Sequence, residues 1–351
     1  EEKTYYDIKD LDPNYEKILL TDMSKKKDSG NLNNEISLLD GGSIKPSKMK
    51  NLRDLLLMMD EDNKEKVITI IDNELDEKKI TYRELINKAK KVASNLQEKN
   101  LNKSDKILLQ IADSEKFLVI FWGCIFAGVT AIPLSPAYDE AGKKRLDIIS
   151  SITHNPYVVI SNKENLDIKQ DKILIAEELM KESNYEYNYE NEIDSDFIAM
   201  IMFTSGSTGL PKGVLLPHKN VLNRTLEATE FLNLHSNDNM LNWMPLDHVG
   251  GIIMAHMQAI GFQGAQEIVN TKIILSKPSK WLEYLSRFKA TSTWAPNFAF
   301  GLLLDVENEI KDMNISLENL KVIENGGEAI NYNSCEKFMN LMRSKGLKHD
   351  A

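Results

Sequence analysis

The chain has 351 residues, enough for about two domains, and 42% of them are hydrophobic, so it is expected to bury a sizeable core. Acidic residues outnumber basic ones and give a net charge of −10, which argues against a nucleic-acid-binding surface, because such a surface needs clustered positive charge. Two cysteines, Cys124 and Cys335, are too few for a disulfide-stapled scaffold and form no zinc pair, so the sequence favours a reducing, cytoplasmic location.

Residues 1–50 are predicted to be a linker or the end of an upstream segment, because Asn, Asp, Lys, Ser and Gly crowd residues 23–50 and apolar periodicity there is poor. The acidic start of the chain shows no signal-peptide pattern. Regular patterns begin at residue 51, with a helix predicted at 52–56 and a strand at 67–71 that is followed by a turn.

Strands and helices then alternate. Thr81 is predicted to cap a helix over 82–97, in which apolar residues recur at helical spacing. Strands are expected at 106–111 and at 157–160, on either side of a helix–strand pair. Strands that alternate with helices of this length indicate βαβ units on a mostly parallel sheet.

One apolar stretch could form either a membrane-spanning helix or a helix buried in the protein core. Residues 117–134 carry no charge over eighteen positions, which is the threshold length for a spanning helix. Gly128 and Pro133 interrupt the stretch, so we predict a buried helix at about 115–127 that ends on a left-handed Gly128 and is followed by a core strand. No membrane association is therefore expected.

An acidic stretch rich in Asn and Tyr, 181–196, is the predicted boundary between two sub-structures. Beyond it, the apolar strand 197–203 runs directly into a glycine- and hydroxyl-rich loop. Further helices are predicted at 219–231 and 278–288, and further strands at 290–294 and 320–323.

The stretch 203–218, FTSGSTGLPKGVLLPH, carries the strongest chemical signal. Glycines let backbone N–H groups approach an anion, Ser and Thr hydroxyls add donors, and Lys212 adds a positive charge, so the stretch predicts binding of a triphosphate. It is not a standard P-loop, because Pro211 stands before the lysine where that motif requires glycine. A flexible surface loop is the alternative, but such a loop is not expected to follow seven apolar residues directly.

With FTSGSTGLPKGV, the chain resembles the adenylate-forming superfamily, which includes acyl-CoA synthetases, fatty-acyl-AMP ligases and the adenylation domains of nonribosomal peptide synthetases (NRPS) and polyketide synthetases. The resemblance implies an α/β fold, the family's large N-terminal domain, with two mostly parallel β-sheets flanked by helices and without the C-terminal lid. It implies a first subdomain at 51–190 and a second at 191–351, incomplete at its C-terminal end. Further blocks resemble family motifs in the same order: TYREL at 81–85, FWGC to AIPL at 121–134, NWMPLDH at 242–248 and NGGE at 325–328.

By resemblance, the reaction has two steps. A carboxylate attacks the α-phosphorus of ATP, releasing pyrophosphate and leaving an acyl adenylate, and a thiol then takes the acyl group. Catalysis rests on positioning and on stabilisation of negative charge, with Mg²⁺ bridging the phosphates. The expected thiol is the phosphopantetheine of a carrier-protein domain. The residues implied for the β- and γ-phosphates are Thr204, Ser205, Gly206, Ser207, Thr208, Gly209 and Lys212.

The resemblance also implies an acid site and an adenine site. His248 is expected to border the substrate carboxylate and, with Thr204 and Lys212, to be catalytic; a packed core histidine is the alternative. Residues 294–300 are expected to wall the acyl pocket, with plain core as the alternative, and the four tryptophans are expected only to pack. No metal-ligand spacing is present among the six histidines. The residues implied around the acid are His248, Val249, Gly250, Asn297, Phe298 and Asn325, and those implied along the adenine are Gly326, Gly327 and Glu328.

The acid is expected to lack an α-amine. Amino-acid-activating members of the family place an Asp against the substrate ammonium, and alignment by Pro245 and His248 puts Val249 at that position. A buried ammonium that faces Val249 would lose its counter-charge. A shift of two positions would make Asp247 the partner of an amino acid, and this alternative stays open.

The chain ends before the segments that the family places after residue 351, namely a YGxTE-like motif, an Asp for the ribose hydroxyls, a hinge and a lid with a lysine. We therefore expect a fragment that folds but forms no adenylate alone. The favoured interpretation is ATP-dependent activation of a carboxylic acid within a modular peptide or polyketide synthetase. A free-standing acyl-CoA synthetase and a non-catalytic nucleotide-binding fragment are the alternatives.

Overall fold

The structure is a computed structural model, and all the residues that it describes fall within residues 48–351. The described residues are 49–62, 66–103, 105–161, 172–183, 185–188, 192–204 and 211–349. Most of the predicted linker at 1–50 lies outside them, and so do five loop residues: Ser205, Gly206, Ser207, Thr208 and Gly209.

Strands and helices alternate along the chain, as the hydrophobic pattern predicts. The strands are β1 (Val67–Asn73), β2 (Asp76–Thr81), β3 (Lys106–Gln110), β4 (Thr130–Pro133), β5 (Tyr157–Ile160), β6 (Ile173–Ile175), β7 (Ile198–Thr204), β8 (Lys212–Pro217), β9 (Asn239–Asn242), β10 (Ala265–Val269), β11 (Ser292–Ala295) and β12 (Val322–Asn325). The helices are α1 (Leu52–Asp62), α2 (Tyr82–Glu98), α3 (Ser114–Ala127), α4 (Glu140–Ile152), α5 (Ala176–Leu179), α6 (His218–Phe231), a π-helix (Gly250–Met257), α7 (Gln258–Gly261), α8 (Thr271–Ser276), α9 (Ser279–Arg287), α10 (Asn297–Asp305), α11 (Glu307–Asp312) and α12 (Tyr332–Arg343).

The strands form two six-stranded sheets. Sheet A has the order β12-β11-β9-β10-β1-β2, and sheet B has the order β6-β5-β3-β4-β7-β8. In each sheet the pairings are parallel except for one antiparallel hairpin at the edge, β1–β2 in sheet A and β7–β8 in sheet B. The predicted fold class, α/β with two mostly parallel sheets flanked by helices, is confirmed.

The ends of two central helices follow from their sequences. Thr81 and Glu84 form a capping box at the start of α2, because the hydroxyl of Thr81 accepts from the N–H of Glu84 and the Glu84 carboxylate accepts from the N–H of Thr81. Helix α3 starts after the Asp113 cap and ends at Gly128, which adopts φ +73°. Glycine adopts this left-handed conformation more readily than residues with a side chain, so α3 stops there and β4 begins.

The main core lies between the two sheets. Helix α3 is buried at every position from Phe117 to Ala127. Its apolar cluster includes Ile70 and Ile268 from sheet A and Leu109 and Val159 from sheet B. The uncharged stretch is thus a core helix, as predicted. Within the ranges given above, none of the helices has the length and apolarity needed to cross a bilayer.

Each sheet takes strands from both sides of the predicted boundary at residue 191. The hairpin β1–β2 belongs to sheet A, whose other strands come after residue 191, and the hairpin β7–β8 completes sheet B. The two sheets therefore do not correspond to 51–190 and 191–351, and that division stays a prediction.

Candidate functional site

Three of the predicted segments follow neighbouring strands of sheet A. Strands β9, β11 and β12 lie side by side and run parallel, so their carboxyl ends meet at one edge of the sheet. The substrate-side motif follows β9, Pro296 follows β11, and Gly326 follows β12. Ligands of open α/β sheets bind in the crevice outside this edge. The topology therefore brings together the residues predicted for the acid and those predicted for the adenine.

The indole of Trp294, on β11, lies in a slot formed by three glycines. A Cβ atom built on Gly250 would stand 2.7 Å from the ring, closer than real Cβ atoms approach, while Cβ atoms on Gly326 and Gly327 would stand 3.4 and 3.3 Å from it. Gly327 also has φ +86°, which favours glycine. Trp294 begins the stretch 294–300 that is expected to wall the acyl pocket, and its ring contacts residues of both predicted sites. The glycine pairs after β9 and β12 are the sequence signal that points to it.

The segments after β11 and β12 are hydrogen-bonded to each other. The Nδ2 of Asn325 donates to Oδ1 of Asn297 at 3.3 Å, and the backbone N–H of Phe298 donates to the Glu328 carboxylate at 2.5 Å. The Oδ1 of Asn325 is buried and accepts no hydrogen bond from the described residues. A buried acceptor of this kind is costly unless it finds a partner, so this atom is a candidate contact for a ligand.

A π-helix follows the substrate-side motif, and single-turn widenings of this type are frequent at functional sites. Gly251 allows the start of this helix to approach the motif, because a Cβ atom there would stand 2.1 Å from the carbonyl oxygen of Pro245. His248 is exposed, and its Nδ1 accepts from the N–H of Gly250 at 3.3 Å. His248 is therefore not a packed core histidine. Val249 is partly buried and packs against the main core.

The two strands β7 and β8, which we call the phosphate hairpin, carry the ends of the predicted phosphate loop. Thr204 and Lys212 are opposite each other in the antiparallel register, and both are exposed. The backbone thus brings the first and last predicted phosphate ligands to the same end of the hairpin. The intervening loop residues lie outside the described ranges, so their contact with phosphate stays a prediction.

A cleft of about 220 Å³ lies beside the substrate-side motif. The Ser135 hydroxyl, after β4, donates to the Asp247 carboxylate, after β9, and this bond joins the carboxyl edges of the two sheets. Tyr138 and Lys272 also line the cleft. None of the described residues predicted for the phosphates, adenine or acid lines it. The cleft is thus lined by residues other than those grouped around Trp294.

A chain of hydrogen-bonded, buried polar side chains includes His256 of the π-helix. His256 accepts from the indole of Trp122 and donates from Nδ1 to Oε1 of Gln266, both at 2.9 Å, in the tautomer that these partners require. Gln266 then donates to the Tyr82 hydroxyl at 2.7 Å, which donates to the carbonyl oxygen of Gly264 at 3.0 Å. Sequence reasoning did not single out His256, because a buried histidine with apolar neighbours in the chain shows no motif.

Fold and site together define an α/β protein whose site is built from loops after parallel strands. Residues 60–349 match the family described as AMP-binding enzyme, and the chain belongs to that family. It is 26% identical over 287 residues to the medium-chain-fatty-acid–[acyl-carrier-protein] ligase JamA of Moorena producens, covering 78% of this chain and 48% of JamA.

Two solved structures extend the comparison. The adenylation domain of a keto acid-selecting NRPS module bound to keto acyl adenylate is 26% identical, with a TM-score of 0.76, over 85% of this chain and 57% of that one. McyG A-PCP complexed with phenylalanyl-adenylate is 28% identical, with a TM-score of 0.81, over 88% of this chain and 50% of that one. The chain thus spans about half the length of these relatives.

Proposed function

We propose that this chain binds ATP and a carboxylic acid for activation of the acid as an acyl adenylate, with release of pyrophosphate. The observation that carries the proposal is the meeting of Gly250, Trp294 and Gly326–Gly327 at the carboxyl edge of sheet A. An acyl adenylate has an acyl part and an adenine part joined through one phosphate. Adjacent acid and adenine segments suit a ligand of that kind.

The chemistry needs no nucleophile from the protein. The acid carboxylate attacks the α-phosphorus and pyrophosphate leaves, so the protein's task is to orient the reactants and to stabilise charge on phosphate oxygens. Thr204 and Lys212 would contribute a hydroxyl and a cation from the two paired strands of the phosphate hairpin. His248 is exposed beside Gly250, where it would border the carboxylate.

Magnesium would neutralise part of the phosphate charge. Across the part of the chain that the structure describes, no group of three His, Cys, Asp or Glu residues forms a metal cluster. Mg²⁺ bound with nucleotides is usually held mainly by phosphate oxygens and water, with one or two protein ligands.

The proposed acid lacks an α-amine. Val249 packs against the core, and the Asp247 carboxylate, which lines the 220 Å³ cleft, accepts a hydrogen bond from the Ser135 hydroxyl. Val249 carries no charge, and Asp247 already has a hydrogen-bond partner, so neither residue favours a substrate ammonium near Trp294. Two of the three relatives act, by their names, on a fatty acid and a keto acid, while McyG holds phenylalanyl-adenylate. The balance favours a fatty, hydroxy or keto acid.

The proposed acceptor is the phosphopantetheine thiol of a carrier protein, within a cytoplasmic peptide or polyketide synthetase. Support comes from the names of the relatives, since JamA is an [acyl-carrier-protein] ligase and one solved structure is an A-PCP. A free-standing acyl-CoA synthetase would use the same first step. Incubation of the acyl adenylate and enzyme with either thiol, followed by mass spectrometry of the thioester, separates the two acceptors.

Calorimetry with non-hydrolysable ligands tests the proposed function. An acyl-sulfamoyladenosine should bind the chain more tightly than sulfamoyladenosine, because the acyl group adds contacts beside Trp294. Equal affinity for the two ligands would favour the second candidate, a nucleotide-binding module without acid activation. Absence of binding by either would reject both.

A matched pair of acyl groups tests the acid class. The sulfamoyladenosine of the α-hydroxy analogue of leucine should bind better than that of leucine itself. Preference for the leucine compound, lost on Asp247→Ala, would instead give Asp247 the role of ammonium partner.

A further inference from the structure

We propose that Arg224 is a positioning residue that fixes the adenine segment, Asn325–Glu328, relative to the phosphate hairpin. The proposal deepens and rests on the proposed function, because these two parts must hold opposite ends of one ATP molecule. They belong to different sheets, so the strand ladders alone do not link them.

The guanidinium of Arg224 contacts two other elements at once. Its Nη1 donates to Oε1 of Gln258 at 2.5 Å, and its Nη2 lies 3.6 Å from Oε2 of Glu324. Arg224 is on α6, which begins directly where β8 of the phosphate hairpin ends. Gln258 directly follows the π-helix, and Glu324 directly precedes Asn325. One side chain therefore touches elements that lead to the phosphate, acid and adenine parts of the site.

Helix α6, which carries Arg224, packs tightly against helix α7. Gly261 of α7 lies so close to α6 that a Cβ atom there would stand 2.5 Å from Cγ2 of Thr225. The Nε2 of Gln258 donates to Oγ1 of Thr229 at 3.0 Å, and that hydroxyl donates to the carbonyl oxygen of Thr225 at 2.8 Å. Gln258 is thus held from both sides, and it fixes the direction of the guanidinium.

The other partner, Glu324, is on β12, an edge strand of sheet A. Among the strands that the structure describes, β12 pairs only with β11. Burial raises the pKa of Glu324 and lowers the pKa of Arg224, and each charge opposes the shift of the other. The pair is partly removed from water, where an ion pair is screened less than on the surface. Arginine suits this position because its planar fork reaches two acceptors, which one ammonium does not.

Hydrogen exchange on the ligand-free chain tests the contact without relying on nucleotide binding. In Arg224→Gln, peptides that cover 322–329 and 256–262 should both exchange faster, while peptides from α2 should be unchanged. Arg287→Gln is the matched control, because it removes an ion-paired arginine on α9, whose partner is Glu77. Unchanged exchange in both target segments of Arg224→Gln would overturn the proposal.

Ligand affinities test the consequence for ATP. Arg224→Gln should weaken ATP binding about two- to thirtyfold, the range typical of residues that couple two sites. Adenosine alone and tripolyphosphate alone each need one side of the site, so their affinities should change by less than about twofold. Equal losses for all three ligands, or no loss for ATP, would contradict the positioning role. A wild-type chain that binds no ATP would reject the proposed function, and hydrogen exchange would then decide whether Arg224 holds the segments.

Discussion

The indole N–H of Trp122 donates a 2.9 Å hydrogen bond to Nε2 of His256, and both side chains are completely buried. The bond requires a neutral imidazole, since a protonated His256 would place N–H groups on both sides of the ring and lose its acceptor. Burial lowers the pKa of His256 to about 4. The hydrogen bond to Gln266 raises the pKa, but its effect is smaller than that of burial.

Acid should therefore destabilise the fold through His256. Between about pH 7 and about pH 5 the unfolded chain takes up a proton near the ordinary pKa of 6.5, and the folded chain does not. The expected loss in the free energy of unfolding from this group is about 2 kcal/mol. Urea unfolding at both pH values should show a smaller pH difference for His256→Gln than for wild type. His235→Gln removes an exposed histidine and serves as the control. The same pH difference in wild type and His256→Gln would show that His256 does not titrate in this way.

Glu267, on the central strand β10, should make the fold less stable as the pH rises, whereas His256 makes it less stable as the pH falls. Burial raises the pKa of Glu267 to about 8, against the hydrogen bond from Asn239, and its Oε2 has no partner among the described residues. The folded state therefore holds a proton that the unfolded state has already released, and stability falls as pH rises through about 8. The expected loss from about pH 7 to about pH 9 is about 1.4 kcal/mol, absent in Glu267→Gln. An undiminished alkaline loss in the variant would contradict the burial argument.

The phosphate hairpin should account for much of the nucleotide affinity. A charge-assisted contact is worth about 1.5–3 kcal/mol, so Lys212→Ala should weaken ATP binding about tenfold or more. Thr208→Ala tests a predicted donor in the loop. Lys219→Ala is the control, because it removes a lysine of α6 that pairs with Asp196. This variant should leave the affinity for ATP unchanged. Equal losses in Lys219→Ala and Lys212→Ala would point to general charge rather than to a phosphate site.

Gly250 should be intolerant of any side chain, because its Cβ position is 2.7 Å from the Trp294 ring. Gly250→Ala is expected to destabilise the fold by about 1–3 kcal/mol through overpacking, and replacement of Trp294 by Leu in the same chain should restore part of that loss. Gly301→Ala is the matched control. Apart from the backbone of its own helix α10 and its chain neighbours, no atom lies within 4 Å of its Cβ position, so the substitution should stabilise the fold by up to about 1 kcal/mol. Thermal or urea unfolding of the four chains gives the comparison, and a Gly250→Ala chain as stable as wild type would contradict it.

The sequence was most informative where one local rule decided the structure. The capping residue Thr81, the left-handed Gly128 and the apolar strand before Thr204 all lie where the pattern predicts. The parallel sheets followed from alternation of strands and helices. The approach of Asn297 to Asn325 followed only from the resemblance, because hydrogen bonds between residues far apart in sequence leave no periodic signal.

Other features depend on tertiary packing and could not be predicted. The π-helix at Gly250–Met257 has the apolar composition of a core α-helix, so its sequence does not distinguish the two helix types. The assignment of β1–β2 to sheet A and β7–β8 to sheet B reflects long-range pairing. Arg224 is one arginine in an ordinary helical pattern, and only its contacts to Gln258 and Glu324 distinguish it.

The most direct measurement of the central claim is a structure of this chain with a bound acyl-sulfamoyladenosine. We predict the adenine along Gly326–Gly327 and the acyl group beside Trp294 and Gly250, at the carboxyl edge of sheet A. A ligand that lies instead in the 220 Å³ cleft between Tyr138 and Lys272 would contradict the assignment of the site.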